Sequence, residues 1–285
     1  MPALVADDPK LHNPLQRMER LGTGWMGVIL ELEGVCIEWP DYGNLGLLAW
    51  EQLAQEEGKS PPPKWALRKA EGMKNEQVIQ EVFCWTRDPM AVRRLAKRKE
   101  ELLSELLGDR KPMIPPGVMN LLDTLQKNSV PVALVSGSPE GRVKEALELA
   151  GMATQFEVVV TAEDVYRGRP DPEAYFYAAQ RIRRPPARCV VVGNSNLSVE
   201  AAHEAGMKCV ALAGRHPVYE LTAADLVARN LGELAFVNLK QLFRLEEQRL
   251  PQGDEEDAAL TEEEEFEFED DLPLTATAVI DRPRW

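Results

Sequence analysis

The chain has 285 residues, 44% of them hydrophobic, enough to bury the core of one large domain or two modest ones. It holds no apolar run of about 18 residues, so no helix is expected to cross a bilayer. The net charge of −14 is concentrated: residues 254–271 carry twelve Asp and Glu and no Lys or Arg, leaving −2 on the rest, and a nearly neutral body lacks the basic stripe that a nucleic-acid surface needs.

In chain order, residues 1–24 are a polar extension. The first strand follows, with an apolar stretch at Val28–Leu30 that runs into Glu31-Leu32-Glu33-Gly34. Between Glu38 and Pro112 no good strand is found. Helical patterns appear instead at Leu45–Glu57, Asn75–Trp85 and Met90–Leu107, interrupted by Pro61-Pro62-Pro63. A helical module inserted after a first strand reads as a lid that excludes water and selects substrate. Beyond it, β-branched runs recur at Val132–Val135, Val158–Val160, Val190–Val192 and Cys209–Leu212, separated by helix-patterned stretches.

Strands without alternation are buried on both faces, and strand–helix alternation implies parallel pairing through crossover helices. The fold class is therefore α/β, a doubly wound parallel sheet carrying an inserted α-helical cap and an acidic C-terminal tail. The expected division is 1–24 extension, 25–37 and 113–244 core, 38–112 cap, and 245–285 extended tail. Ligands bind such sheets beyond the carboxyl ends of the strands. Those ends here are Glu31 and Glu33, Ser136-Gly137-Ser138, the segment Asp164 to Pro172, and Gly193-Asn194-Ser195. Any one could be a turn or cap; four on one rim point to a site. Cys36, Cys84, Cys189 and Cys209 lack metal-binding spacing and read as buried reduced thiols, and His12, His203 and His216 are too dispersed to ligate together.

The pieces "VILELEGV", "LVSGSPEGRVKEALELAG", "AEDVYRGRPDPEAYFYAAQ" and "VVVGNSNLSVEAAHEAGMKCVAL" resemble, in order and spacing, the haloacid dehalogenase-like hydrolases with a helical cap, over roughly Trp25 to Leu242. That resemblance implies a phosphatase of a small phosphorylated metabolite. Glu31 falls where the family has its nucleophilic Asp and Glu33 where it has the proton-transferring Asp. Ser136, with Gly137 beside it, falls on the phosphoryl-binding position, and Arg169 on that of a charge-screening Lys. Mg²⁺ would be held by Glu31, the backbone carbonyl of Glu33 and Asn194, with Asn194 replacing an Asp. "ELEG" together with "EEGKSPPP", "EGMKNEQVI" and "HPVYELTAADLV" is similar to a plant plastid branch acting on a riboflavin-pathway intermediate. This implies a chloroplast location, with a cytoplasmic one as the alternative. The N-terminal 24 residues are not acid-poor as a transit peptide would be, so the numbering is expected to start after cleavage or inside a longer precursor.

The departures have physical sizes. Glu for Asp extends the reach by about 1.5 Å, and a misplacement of about 1 Å can cost on the order of a hundredfold in rate. Asn194 removes a charge from a hard-cation site, which puts Mg²⁺ in doubt, and Arg169 replaces a compact ammonium with a wider fork. Two readings stand: a working phosphatase with a substituted site, or a catalytically silent binding or scaffold protein using its acidic tail, with Phe266 and Phe268, to contact a basic partner. Lys74 and Asn75 are candidate substrate-binding residues, with Asn75 as a helix N-cap the plainer alternative. Arg68, Lys69, Arg93, Arg94, Lys97 and Arg98 make basic helical faces that suit solvent, a negative ligand or the tail.

Overall fold

The computed structural model describes residues 26–247 except 71, 215 and 216; the N-terminal extension and nearly all of the acidic tail, with the contacts expected of them, lie outside the described residues. Six strands form one parallel sheet: β1 (Gly27–Glu31), β2 (Val132–Val135), β3 (Val158–Val160), β4 (Cys189–Gly193), β5 (Lys208–Leu212) and β6 (Leu226–Ala228). Their order is β3-β2-β1-β4-β5-β6. The chain leaves β1 for β2 on one side and returns to β4 on the other, so β1 sits at the point where the winding reverses. Ligands of such sheets gather there.

Between β1 and β2 lie the helices α1 (Tyr42–Glu56), α2 (Lys64–Ala70), α3 (Asn75–Gln77, continued by a π turn at Val78–Val82) and α4 (Pro89–Leu107). After them come α5 (Val118–Lys127), α6 (Glu140–Leu149), α7 (Glu173–Arg181), α8 (Asn196–Glu204) and α9 (Phe236–Glu247). Strand alternation divides the core between the two faces of the sheet. Val28 and Leu30 pack in a cluster with Leu121, Val143 and Leu239, while Ile29 packs in one with Tyr175, Ala178 and Val199. Glu31 shares the parity of Ile29, so the same alternation turns its carboxylate toward α7 and α8.

The helices between β1 and β2 have their own apolar cluster, built from Leu53, Leu67, Ile79, Leu95 and Leu103. Pro89 opens α4 behind Asp88, whose carboxylate accepts from the Ala91 N–H at 2.9 Å. The segments leaving and re-entering the sheet are tied to each other, Glu38 N–H to Met113 O at 2.8 Å and Met113 N–H to Glu38 O at 2.7 Å. The expected helix over Asn75–Trp85 is shorter and changes to a π turn, and its N-cap position is Lys74 rather than Asn75. Cys36, Cys189 and Cys209 are buried free thiols, whereas Cys84 is exposed.

Candidate active site

The rim of the sheet meets the inserted helices at a cleft of about 450 Å³, a size suited to a small metabolite. From the rim it is lined by Glu33, Gly137, Ser138, Arg169, Asn194 and Ser195; from the helices come Asn44, Glu51, Lys64, Arg68, Asn75 and Glu100, over an apolar wall that includes Trp50 and Leu67.

Glu31 and Arg169 form the buried centre. Arg169 Nη1 lies 2.6 Å from Glu31 Oε1, with side-chain exposures of 10% and 2%. The Tyr175 hydroxyl, from α7, donates to the same oxygen. Glu31 Oε2 is buried and has no hydrogen-bond partner among the described residues. Burial alone would favour a neutral Arg169, but Glu31, followed by Tyr175 and Glu33, holds its guanidinium above the ordinary value. Burial and then Glu31 push the Tyr175 phenol well above its own. The charged guanidinium and the protonated phenol thus bear on the same oxygen of Glu31. Glu31 is absent from the cleft wall and lies behind Arg169.

Glu33 is the carboxylate that faces the cleft. Its Oε1 accepts from Ser136 Oγ at 2.8 Å and Ser138 Oγ at 2.8 Å, and its Oε2 from Ser136 Oγ at 3.0 Å. The expected phosphoryl-binding turn thus holds an anion that belongs to the chain itself. Ser136 is buried at 3% exposure beneath it, while Gly137 and Ser138 reach the cleft.

Asn194 lies beside Glu33, and its Nδ2 donates to the Glu33 carbonyl oxygen at 3.2 Å. Gly34 makes that approach possible: it has φ +76°, and a Cβ there would fall 2.0 Å from Asn194 Nδ2. As a set for Mg²⁺, Glu31, the Glu33 carbonyl and Asn194 do not fit. The carbonyl and the amide are joined as acceptor and donor, and the one negative group already carries a guanidinium, whose charge would repel a cation. Among the described residues no group of three or more His, Cys, Asp and Glu could hold a metal ion.

The remaining candidates separate. Asn75 lines the cleft and its Nδ2 donates to Glu100 Oε1 at 2.8 Å. Lys74 does not line it; its Nζ donates to Val165 O at 2.6 Å and ties α3 to the loop before Arg169. Arg94 pairs with Glu57 at 2.6 Å and Arg98 with Glu56 at 2.8 Å, so these basic positions join α4 to the end of α1. His203 is bound to Asp225 at 2.9 Å, away from the cleft. Two elements of the site escape sequence reasoning: Tyr175, and a network in which Glu100 accepts from Asn75, Lys99 and Arg142.

Comparisons with known proteins bear on the fold and the family. Residues 42–212 match the model of the haloacid dehalogenase-like hydrolases, a span that begins after Glu31 and Glu33. The chain is 50% identical, over 98% of its own length and 72% of the relative's, to the chloroplastic 5-amino-6-(5-phospho-D-ribitylamino)uracil phosphatase of Arabidopsis thaliana. It is 33% identical to the validoxylamine A 7'-phosphate phosphatase of Streptomyces hygroscopicus, over 43% of this chain and 58% of that one. Among solved structures, β-phosphoglucomutase from Clostridium difficile superposes with a TM-score of 0.66 at 19% identity, covering 79% of this chain and 99% of that one.

Proposed function

Because the chain belongs to the haloacid dehalogenase-like hydrolase family, we propose that it hydrolyses the phosphate monoester of a small metabolite, with 5-amino-6-(5-phospho-D-ribitylamino)uracil as its substrate and the plastid as its location. The observation that carries this reading is the 50% identity to a chloroplastic phosphatase of that substrate, sustained over 98% of the chain. The cleft suits it, since it sets Ser138, Arg169 and Gly137 on the rim against polar groups on the helices.

In this reading the substrate's phosphoryl group takes the place of the Glu33 carboxylate on the Ser136 and Ser138 hydroxyls, and Arg169 balances its charge. Glu31 Oε1 stays clamped by Arg169 and Tyr175 while Oε2, free of donors, forms the bond to phosphorus. Displaced from the serine hydroxyls, Glu33 takes up a proton from solvent and gives it to the departing ester oxygen. Glu33 then takes a proton from water, which attacks the phosphorus of the acyl phosphate, releases inorganic phosphate and restores Glu31. Oε2 is covered in the present arrangement, so Glu33 must move off the serines and Arg169 must swing about its bond to Oε1 as substrate enters. That requirement is the physical basis for a slow enzyme. It is also the observation that favours the second reading, a silent binding protein.

The deciding experiment is phosphate release from 5-amino-6-(5-phospho-D-ribitylamino)uracil against a panel of sugar and sugar-alcohol phosphates, each with Mg²⁺ and with EDTA. Preferential turnover of the pyrimidine substrate is expected. The donor set leads us to expect a loss below about tenfold in EDTA, since Arg169 already supplies the positive charge. No release from any of the panel would favour the silent reading.

A further inference from the structure

The cleft wall formed by the helices carries charge that no interaction within the described residues uses. Most of the cations on α4 are spoken for: Arg94 by Glu57, Arg98 by Glu56 and Glu105, Lys97 by Glu101, and Lys99 by Glu100. Lys64 and Arg68 differ. They stand one turn apart on α2, both line the cleft, both are exposed, and neither makes an ion pair or side-chain hydrogen bond among the described residues. Asn44 and Glu51 of α1 line the same wall, and Leu47 and Leu67 make it partly apolar.

We propose that Lys64 and Arg68 form a subsite for the end of the substrate remote from its phosphate, and that this end is a ring bearing carbonyl acceptors. The inference rests on the phosphatase reading for the position of the phosphate, which the rim takes through Ser138, Gly137 and Arg169. A plain sugar-alcohol phosphate would set hydroxyls against an unpaired guanidinium, whose fixed fork of donors gains most from two acceptors held in one plane. A pyrimidinedione presents coplanar carbonyl acceptors on either side of a ring N–H, one of which can take both N–H groups of the fork, and its flat face suits the apolar part of the wall. Arg68 is the principal reader because its geometry is directional; Lys64, a point charge on a flexible stem, assists. Lys74, an expected specificity residue, is occupied by the Val165 carbonyl and does not reach the cleft.

The test compares the wild type with Arg68→Ala, Arg68→Lys and Lys64→Ala on 5-amino-6-(5-phospho-D-ribitylamino)uracil, on ribitol 5-phosphate, which keeps the phosphate and chain but lacks the ring, and on glucose 1,6-bisphosphate. Arg68→Ala is expected to raise KM for the pyrimidine substrate at least tenfold with kcat within about twofold, and to act at least tenfold less on ribitol 5-phosphate. Arg68→Lys should recover part of the loss, and Lys64→Ala should cost about threefold. Equal losses on both monophosphates would overturn the subsite, since Arg68 would then be drawing phosphate in general, and a preference for the bisphosphate that Arg68→Ala abolishes would overturn the ring. A second arm needs no turnover: calorimetry with the dephosphorylated 5-amino-6-(D-ribitylamino)uracil. If the wild type releases no phosphate yet binds this product at least tenfold more tightly than Arg68→Ala does, the phosphatase reading fails and the subsite stands. If the variant binds as well as the wild type, the subsite fails whatever the turnover.

Discussion

Two carboxylates, Glu31 buried on the sheet and Glu100 partly buried on α4, are embedded in different ways. Glu100 is saturated: Oε1 accepts from Asn75 at 2.8 Å and Lys99 at 2.9 Å, Oε2 accepts from Arg142 Nε at 2.5 Å, and its backbone carbonyl accepts from Arg142 Nη2 at 3.0 Å. Glu31 has Arg169 and Tyr175 on one oxygen and, among the described residues, no partner on the other. A buried acceptor left unpaired costs about 1–3 kcal/mol, more when it is charged. A fold that completes one carboxylate and leaves the other incomplete assigns them different work. Glu100 joins α4 to Arg142 on α6, whereas Glu31 keeps an oxygen without a donor, the one that the proposed mechanism uses for attack.

The strongest way to break this contrast is at Glu31. Glu31→Gln keeps the shape and removes the proposed nucleophile, since an amide does not attack phosphorus at a useful rate. Steady-state phosphate release should fall by on the order of a thousandfold or more. A variant within tenfold of the wild type would remove Glu31 from the chemistry and leave Glu33 as the working carboxylate.

The next effect is at Glu100 and appears in stability. Burial alone would raise this carboxyl, but Lys99 and Arg142 hold it at about 2, below the usual 4.5. Because the folded value is the lower one, its stabilisation is fully present above pH 4.5 and is lost as the pH falls toward about 2. That displacement corresponds to about 3 kcal/mol. Glu100→Gln leaves two buried cations without their counter-charge, at a cost of about 3–5 kcal/mol, or on the order of 10 °C in Tm. Thermal unfolding from pH 7 down to pH 3 should show the gap between wild type and variant narrowing with acid. A constant gap would mean that the network contributes packing and not charge.

How much of this contrast the sequence carries depends on the range of the interaction. β1 to β5 are legible from their apolar, β-branched runs, down to the three valines of the edge strand β3. β6, the other edge strand and equally short, is missed because Leu226–Ala228 holds one β-branched residue and is flanked by Asp225 and Arg229. Glu33, Gly137, Arg169 and Asn194 on the cleft are legible from strand ends and family spacing. The burial of Glu31 behind Arg169 is not, because "ELEG" reads the same whichever carboxylate faces outward. Arg142 looks like any polar position on an amphipathic helix, and only the folded chain brings it to Glu100, 42 residues away. Tyr175 looks in sequence like any aromatic on a helix that packs against a sheet, which it also is; its hydroxyl meets Glu31 across 144 residues of sequence.

Tyr175 is the finest test of the contrast. If Oε1 is clamped so that Oε2 points at phosphorus, the phenol is a positioning residue and its loss acts on the attack, not on substrate binding. Tyr175→Phe keeps the ring in its apolar site beside Ala178 and removes one hydrogen bond to a charged group, an interaction of about 1.5–3 kcal/mol of which the retained Arg169 pair recovers a part. A fall in kcat of roughly tenfold, equivalent to about 1.4 kcal/mol, is expected with KM unchanged. Restoring a hydroxyl without the ring, in Tyr175→Ser, should give no rescue, since the shorter side chain cannot reach Glu31 and leaves a cavity. The split between kcat and KM separates the roles: a Tyr175 that only packs the core would lower Tm and leave both kinetic constants near wild type. A rise in KM at constant kcat would mean that the Arg169–Glu31–Tyr175 group holds the phosphate, and the open oxygen of Glu31 would then belong to binding and not to attack.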